Sequence, residues 1–452
     1  MNSWVQASKI YLERRVLVIL LLGFSSGLPL LLVFQTLSAW LKESEISLTM
    51  IGWFSLASAA YALKFLWAPL VDKMPIPFLS QYFGQRRAWI IFSQSLIVFS
   101  MMGLGHADPT LDLWLVAMWA VALAFSSATQ DIAVDAYRIE SLDEDQMGAG
   151  SANYVLGYRI AMLTAGAGAL FVADVWSWYA AYALMACLMS VGIVTVLFSP
   201  EPERCLSEET AEREKKIFTF MGQYAHLPVF LRLALVRIYE AVICPFADFM
   251  GRPHWMMILM FVALYKYGEA LLGIMANPFY LDLGFSKSEI AAVSKGYGLT
   301  MTLVGGYLGG ILVARYGIMK ALLYAGVMQC LANLAFAAQA LIGYSIPMLA
   351  ITISIENLTA GMATTAFIAY LSSLCNIAYT ATQFALFTSL MNVTRTVFAS
   401  GGGWLADHMD WSLYFLLTTF AAIPGLVILV WLIKRLPAQE RFAEIQQQHH
   451  KE

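Results

Sequence analysis

The chain has 452 residues, 60% of them hydrophobic and 13% charged, and its 27 Lys and Arg against 30 Asp and Glu leave a net charge of −3. A mean hydropathy of +0.68 excludes an ordinary water-soluble domain, where roughly 25% of residues are charged, because that much apolar surface cannot be hidden in one core. The small, loop-clustered charge gives no basis for nucleic-acid binding, and the cysteines (Cys187, Cys205, Cys244, Cys330 and Cys375) lack the spacing of a metal site or disulfide framework.

A spanning helix needs about 20 apolar residues, and such stretches recur along the chain. The predicted spans are 16–41, 47–71, 88–106, 112–138, 147–172, 177–199, 255–281, 287–314, 317–342, 346–374, 378–404 and 412–434. The first follows Arg14 and Arg15 and is too long for a signal-peptide core, so it is expected to stay as a span. With the amino terminus inside, Lys73, Arg86, Arg87, Arg138, Arg204, Arg213, Lys215, Lys216, Arg315, Lys320, Lys434 and Arg435 fall on the cytoplasmic side. Only Lys42 and Lys287 fall outside. This asymmetry satisfies the positive-inside rule and puts both termini in the cytoplasm.

The one long connection opens with EPERCLSEETAEREKK and continues through 227–250, where Arg232, Arg237, Glu240 and Asp248 would sit in lipid if it crossed. An amphipathic helix on the cytoplasmic surface is the better reading. The chain thus divides into an N-terminal six-helix half (1–199), a cytoplasmic linker (200–254), a C-terminal six-helix half (255–434) and a cytoplasmic tail (435–452).

The halves repeat each other weakly. In the fifth span Arg159 precedes a glycine-rich stretch and then Ala173, Asp174, Trp176 and Ser177; in the eleventh Arg395 precedes Gly401, Gly402 and Gly403, then Ala406, Asp407, Trp411 and Ser412. The second span opens with Ser47 before Met50 and Ile51, the eighth with Ser286 before Glu289 and Ile290, the latter a capping-box pattern. The pattern predicts an all-α membrane protein of major facilitator architecture, with about 12 transmembrane helices in two pseudo-symmetric six-helix halves that rock about a site near the bilayer midplane.

An ionisable group at a helix centre costs about 2.5–3.5 kcal/mol on insertion scales, so those inside spans need pairing or water. They are Lys64 in the second span, Asp131 and Asp135 in the fourth, Arg159 in the fifth, Lys266 and Glu269 in the seventh, Lys295 in the eighth, Glu356 in the tenth and Arg395 in the eleventh. Asp131 and Asp135 share a helix face by their spacing, as do Lys266 and Glu269. Either these groups line a hydrophilic cavity, acids exchanging protons and cations holding an anion, or they are permanent salt bridges, a reading that suits Asp135 with Arg138 near the inner surface. Gly23, Gly27 and Pro29, like Gly268, Gly273 and Pro278, serve bending or close packing. Tyr154, Tyr158, Tyr265 and Tyr267 suit sugar stacking or packing.

No GxxxxGK[ST] loop or HExxH is present, and the one Gly-x-Ser-x-Gly match (Gly23, Ser25, Gly27) lies within a span, not on a strand-to-helix turn. No enzyme activity, cofactor or metal is therefore expected. Transport would follow an ion gradient or run downhill; protons are the simplest ion, because a carboxyl in an apolar cavity is driven toward a physiological pKa, with sodium as the other candidate.

Eight segments carry a family resemblance: GFSSGLPL from Gly23, YALKFLWAPLVDK from Tyr61, SATQDIAVDAY from Ser127, LGYRIAM from Leu156, LYKYGEA from Leu264, VSKGYG from Val293, IENLTAGMATTAF from Ile355 and LCNIAYTATQFAL from Leu374. Together they resemble the AmpG-type muropeptide permeases of the major facilitator superfamily, a group related to acetyl-CoA transporters. The resemblance implies proton-coupled import of N-acetylglucosaminyl-1,6-anhydro-N-acetylmuramyl peptides across a bacterial inner membrane for cell-wall recycling, by a monomer whose partners are substrate, protons and the lipid bilayer, with a bearing on beta-lactam resistance. Such a substrate joins a disaccharide to a peptide with carboxylates. On that chemistry Lys64, Arg159, Lys266 and Lys295 are expected to hold substrate anions, and Gln35, Gln130, Tyr158, Tyr267 and Asn357 to hydrogen-bond sugar or peptide. Asp131, Asp135, Glu269 and Glu356 are expected to couple protons. Rival readings are a carrier of another amphipathic anion, such as an acyl-coenzyme A or a siderophore, and an intramembrane acyltransferase or sensor.

Overall fold

The computed structural model describes residues 8–203, 243–399 and 401–435. Most of the linker with its expected amphipathic helix, Cys205 and the tail after Arg435 lie outside the described residues; the linker's last part contains a short helix, Cys244–Met250. Among the described residues, eleven helices are long and apolar enough to cross a membrane. They are α1 (Arg14–Glu43), α2 (Thr49–Leu66), α3 (Gln85–His106), α4 (Leu113–Ser141), α5 (Met147–Val175), α6 (Trp178–Leu197), α7 (Trp255–Asp282), α8 (Ser288–Tyr316), α9 (Ile318–Ile342), α10 (Ile346–Ser373) and α12 (Trp411–Arg435). The expected eleventh span is α11 (Thr380–Ala399), whose Thr, Gln, Asn and Arg dilute its apolar content. A separate short helix, Gly402–Asp407, follows it.

Helix starts follow capping chemistry. Asp112 accepts from the Leu115 N–H at 3.0 Å before α4, and Ser177 accepts from Ala180 N–H at 3.1 Å before α6. The capping box forms, Ser286 N–H donating to Glu289 Oε2 at 2.8 Å and Glu289 N–H to Ser286 Oγ at 3.2 Å. Glu201 serves α3 from a distance, accepting from the Arg86 and Arg87 N–H groups at 2.7 and 3.0 Å, where a helix's positive end welcomes a carboxylate.

The described residues form two compact units, one running to Asp248 and including Leu371–Ser389, the other comprising Phe249–Tyr370 and the chain from Leu390. In the first, Leu28, Leu32, Ile97, Met101, Leu123, Tyr182 and their neighbours make a core from α1, α3, α4, α5 and α6. Gly157 lets α5 lie against α1: a Cβ there would stand 2.0 Å from Leu20 O. Gly157→Ala is therefore expected to cost about 1–3 kcal/mol of stability by overpacking, read as a lower unfolding temperature in detergent. Gly273→Ala, with nothing within 4 Å of the added carbon, is the control; equal melting of the two variants would refute the close contact.

The second unit is centred on aromatic rings: Phe279 lies 4.7 Å from Phe415, and Phe336 lies 5.0 Å from Phe415. Its hydrogen bonds repeat those of the first unit. Trp178 Nε1 donates to Glu43 at the end of α1 at 2.8 Å, and Trp411 Nε1 to Asp282 at the end of α7 at 3.0 Å. The Tyr182 hydroxyl donates to Leu32 O at 3.1 Å, and the Tyr414 hydroxyl to Leu271 O at 2.9 Å. Gly84 (φ 84°) and Gly317 (φ 79°), immediately before α3 and α9, share a positive-φ conformation that favours glycine. By these bonds the partner of Trp411 is Trp178; Trp176, the match expected from sequence, is exposed.

Between spans, Thr110 donates from its N–H and hydroxyl to Asp108 and holds that carboxyl below its usual range. The Tyr344 hydroxyl, donating to Glu289 at 2.6 Å, is pushed up by that bond.

Candidate functional site

Each unit contains one cluster of charged groups in which a lysine stands at a break in its helix. In the first, α2 tightens into a 3-10 turn at Lys64–Leu66 and resumes as the short helix Ala68–Lys73, with Pro69 in its first turn. The break turns Lys64, 8% exposed, so that its Nζ lies 3.7 Å from Asp135 Oδ2. Asp135 also pairs with Arg138 at 3.4 Å. The Arg138 guanidinium donates to Ser151 at 3.3 Å and Ser372 at 3.0 Å and lies over the rings of Tyr154 and Phe384. One turn before Asp135, buried Asp131 stands in the field of Lys64 and Asp135, and its Oδ1 has no hydrogen-bond partner. Tyr154 and Tyr158, 6.1 Å apart, stand beside the two aspartates.

In the second unit, α7 is interrupted between the helices Trp255–Leu264 and Tyr267–Asp282. Lys266 occupies the break, its Nζ 2.5 Å from Glu269 Oε2 and 2.7 Å from the Thr364 hydroxyl of α10. Glu269 lies in the first turn of the resumed helix, where the dipole favours a negative charge. Glu356 of α10 stands in the field of Lys266 and Glu269 and accepts from Asn357 Nδ2 at 2.6 Å. Asn357 Oδ1 accepts from the Thr302 hydroxyl of α8 at 2.8 Å, tying α8 to α10.

The structure thus brings Lys64, Asp131, Asp135 and Tyr158 together in one unit, and Lys266, Glu269, Glu356 and Asn357 in the other. Four residues expected at the site stand elsewhere or apart. Gln130 is fully buried and its amide donates to Ser25 and Ser26 at 3.4 and 3.2 Å, bracing α4 against α1. Gln35 is exposed at the break in α1 after Phe34 and lines a cavity of about 370 Å³ with Ser38, Ile51 and Phe54. Arg159 is exposed on α5, and Tyr267 is half-buried near Tyr414. Lys295 belongs to a π-helical stretch, Ala291–Tyr297, and its side chain lies outside the described residues. A second π-turn, Thr164–Gly168, interrupts α5, where Thr36 donates to Ala165 O at 2.9 Å; such turns recur at functional sites.

Sequence reasoning assigned no site role to Arg138, Thr364 or Asp72. Asp72 accepts from the Ala381 and Thr382 N–H groups at 3.1 and 2.7 Å and from the Thr382 hydroxyl at 2.6 Å, capping the start of α11. Arg138 carried a signal, being a cation three residues after Asp135 on the same face. Among the described residues no three His, Cys, Asp or Glu side chains converge to hold a metal ion.

Residues 15–174 match the family described as Acetyl-coenzyme A transporter 1, and 256–451 the family described as Major Facilitator Superfamily. The chain is 39% identical to "Putative transporter AmpG 4" of Rickettsia felis over 434 residues, covering 95% of this chain and 99% of that one. It is 37% identical to "Anhydromuropeptide permease" of Escherichia coli K12 over 427 residues, covering 94% of this chain and 81% of the relative. Among solved structures it is similar to the fucose:proton symporter FucP of E. coli (TM-score 0.64, 10% identity, 92% of this chain and 97% of that chain). It is likewise similar to the proton:xylose symporter XylE (TM-score 0.61, 13% identity, 95% and 96%). At such identities the likeness establishes the fold alone.

Proposed function

Because the chain belongs to the AmpG-type transporters of the major facilitator superfamily, we propose that it imports N-acetylglucosaminyl-1,6-anhydro-N-acetylmuramyl peptides from periplasm to cytoplasm, driven by protons, for peptidoglycan recycling. The protein is a multi-pass membrane transporter and not an enzyme. In this reading it resides in a bacterial inner membrane as a monomer with both termini cytoplasmic.

The observation that carries the reading is the recurrence, in each unit, of a lysine at a helix break beside a carboxylate: Lys64 with Asp135, and Lys266 with Glu269. Such a pair is a two-position device. With the carboxylate ionised, the lysine is satisfied internally; when the carboxylate takes a proton, the ammonium is freed for an anionic group of the substrate, here a peptide carboxylate. Proton loss restores the internal pair and expels the anion. Asp131 and Glu356, each in the field of such a pair, are the further carboxylates through which protons enter and leave. Tyr158 and Asn357 supply hydrogen bonds to sugar or peptide, as do Gln35 and Tyr267 beside the breaks in α1 and α7, and Arg159 and Lys295 supply further positive charge.

The test is uptake of labelled anhydro-muropeptide into right-side-out vesicles bearing the protein, with and without a protonophore. Uptake that collapses with the protonophore is expected; uptake no greater than in empty vesicles overturns the substrate, and uptake indifferent to the protonophore overturns the proton coupling. The match of 15–174 to the acetyl-coenzyme A transporter family favours a second reading, carriage of another amphipathic anion such as an acyl-coenzyme A. Competition by a coenzyme A thioester against the muropeptide distinguishes the two.

A further inference from the structure

Behind the Lys266–Glu269 pair, inside the second unit, α9 presents two amides to a small cavity. Gln329 and Asn333 are four residues apart and share one helix face; they are 8% and 1% exposed. Gln329 Nε2 and Oε1 and Asn333 Oδ1 have no hydrogen-bond partner within the protein. Both side chains line a cavity of about 10 Å³ together with Tyr265, Lys266, Glu269 and Cys330. Two of these neighbours are already committed: the Tyr265 hydroxyl donates to Leu322 O at 2.9 Å and the Cys330 thiol to Thr419 O at 3.3 Å.

The size and chemistry of the space select its occupant. About 10 Å³ suits one water molecule and nothing larger, and a buried water is stable where two to four polar groups converge on it. A water accepting from the Gln329 amide N–H and donating to Asn333 Oδ1 and to a Glu269 carboxylate oxygen makes three bonds, within the two it can donate and the two it can accept. A sodium ion would meet the Lys266 ammonium already placed 2.5 Å from Glu269, and that like charge disfavours it.

We propose that this cavity holds one resident water, hydrogen-bonded by Gln329 and Asn333 and by the Glu269 carboxylate, so that the two amides of α9 are positioning residues for the Lys266–Glu269 pair. The positioning role rests on the transport reading above, whereas the water site stands without it. The water fixes which way the carboxylate points, and it gives Glu269 a bond independent of Lys266.

Cys330 reports on the site. In hydroxyl-radical footprinting of the purified protein by synchrotron radiolysis, a bound water generates the radical beside it, so buried Cys330 is expected to be labelled. In Gln329→Leu and Asn333→Leu the labelling is expected to fall at least roughly threefold, because the source of the radical is lost, while Asn333→Ser, which keeps a polar group, retains it. Unlabelled Cys330 in the parent protein, or labelling indifferent to the leucine variants when they remain monodisperse, overturns the water site. Protection of Cys330 by sodium but not by potassium overturns it in favour of a cation. The pH profile of uptake reads the positioning role separately: it is expected to move in Gln329→Leu and to stay in place in Gly273→Ala. A profile unmoved in Gln329→Leu overturns the bond to Glu269 and leaves the footprinting result to decide the site.

Discussion

Arg86→Met is expected to destabilise the protein by about 3–5 kcal/mol, the cost of stranding buried charges by removing one partner. Arg86 is fully buried at the start of α3. Its Nε bonds both Glu140 oxygens at 3.1 Å, and its Nη2 bonds Glu140 at 2.6 Å and Asp72 at 2.7 Å. Its Nη1 donates to Val71 O at 3.1 Å. Without it two carboxylates stay where water does not reach. Against a total stability of about 5–15 kcal/mol, the loss is large enough to empty the monodisperse fraction in detergent at growth temperature. Adding Glu140→Gln to Arg86→Met removes one stranded charge and is expected to recover part of the loss, since replacing a whole buried ion group is far gentler than halving it. Asp72 resists the same treatment: an asparagine there keeps one acceptor for the two N–H groups of α11 but turns an NH2 toward the rest. An Arg86→Met protein that melts with the parent would show that the cluster carries no net stability.

The Asp72 contact also marks where sequence reasoning stops. Positions 72 and 382 lie in different halves of the sequence, and no periodicity or spacing connects them; their bond exists because α11 begins beside the short helix Ala68–Lys73. The spans were legible because each fills a bilayer-length window with apolar residues, and α11 was the least distinct because Thr, Gln, Asn and Arg interrupt it. The expected 378–404 covers the helix Thr380–Ala399 and the start of a second, Gly402–Asp407. The charged candidates could be named from the sequence because an ion in a span is costly and must be explained. Amides are not flagged by that argument: Gln130, expected to bond substrate, is fully buried and bonds Ser25 and Ser26 of α1, and nothing in the sequence says which face of α9, and so whether Gln329 and Asn333, turns inward. The helix breaks at Lys64 and Lys266 were legible only in part. Pro69 announces a change of helix after the first, but no proline or glycine precedes the second, and the polar demand of Lys266 for Glu269 and Thr364 is met by a tertiary contact.

Lys266→Met is expected to weaken substrate binding by about 10- to 100-fold, the range set by roughly 1.5–3 kcal/mol for a hydrogen bond to a charged group. Glu269→Gln is expected to spare binding and abolish accumulation. Lys266 Nζ is held at 2.5 Å by Glu269 and at 2.7 Å by Thr364, so an incoming anion must compete with Glu269 for the same ammonium. A glutamine at 269 imitates the protonated acid permanently, leaving the lysine available but unable to return to its internal pair. Counterflow, which exchanges labelled for unlabelled substrate with no net proton movement, should then persist in Glu269→Gln while uphill uptake is lost; in Lys266→Met both should fall together. Because the side chains of Lys266 and Glu269 are only partly buried, at 13% and 22% exposure, each variant strands its partner beside water and not in a sealed core, so folding should survive where Arg86→Met does not. Equal loss of counterflow in both variants would remove the division of labour between cation and acid, and with it the reason for placing proton coupling at this pair.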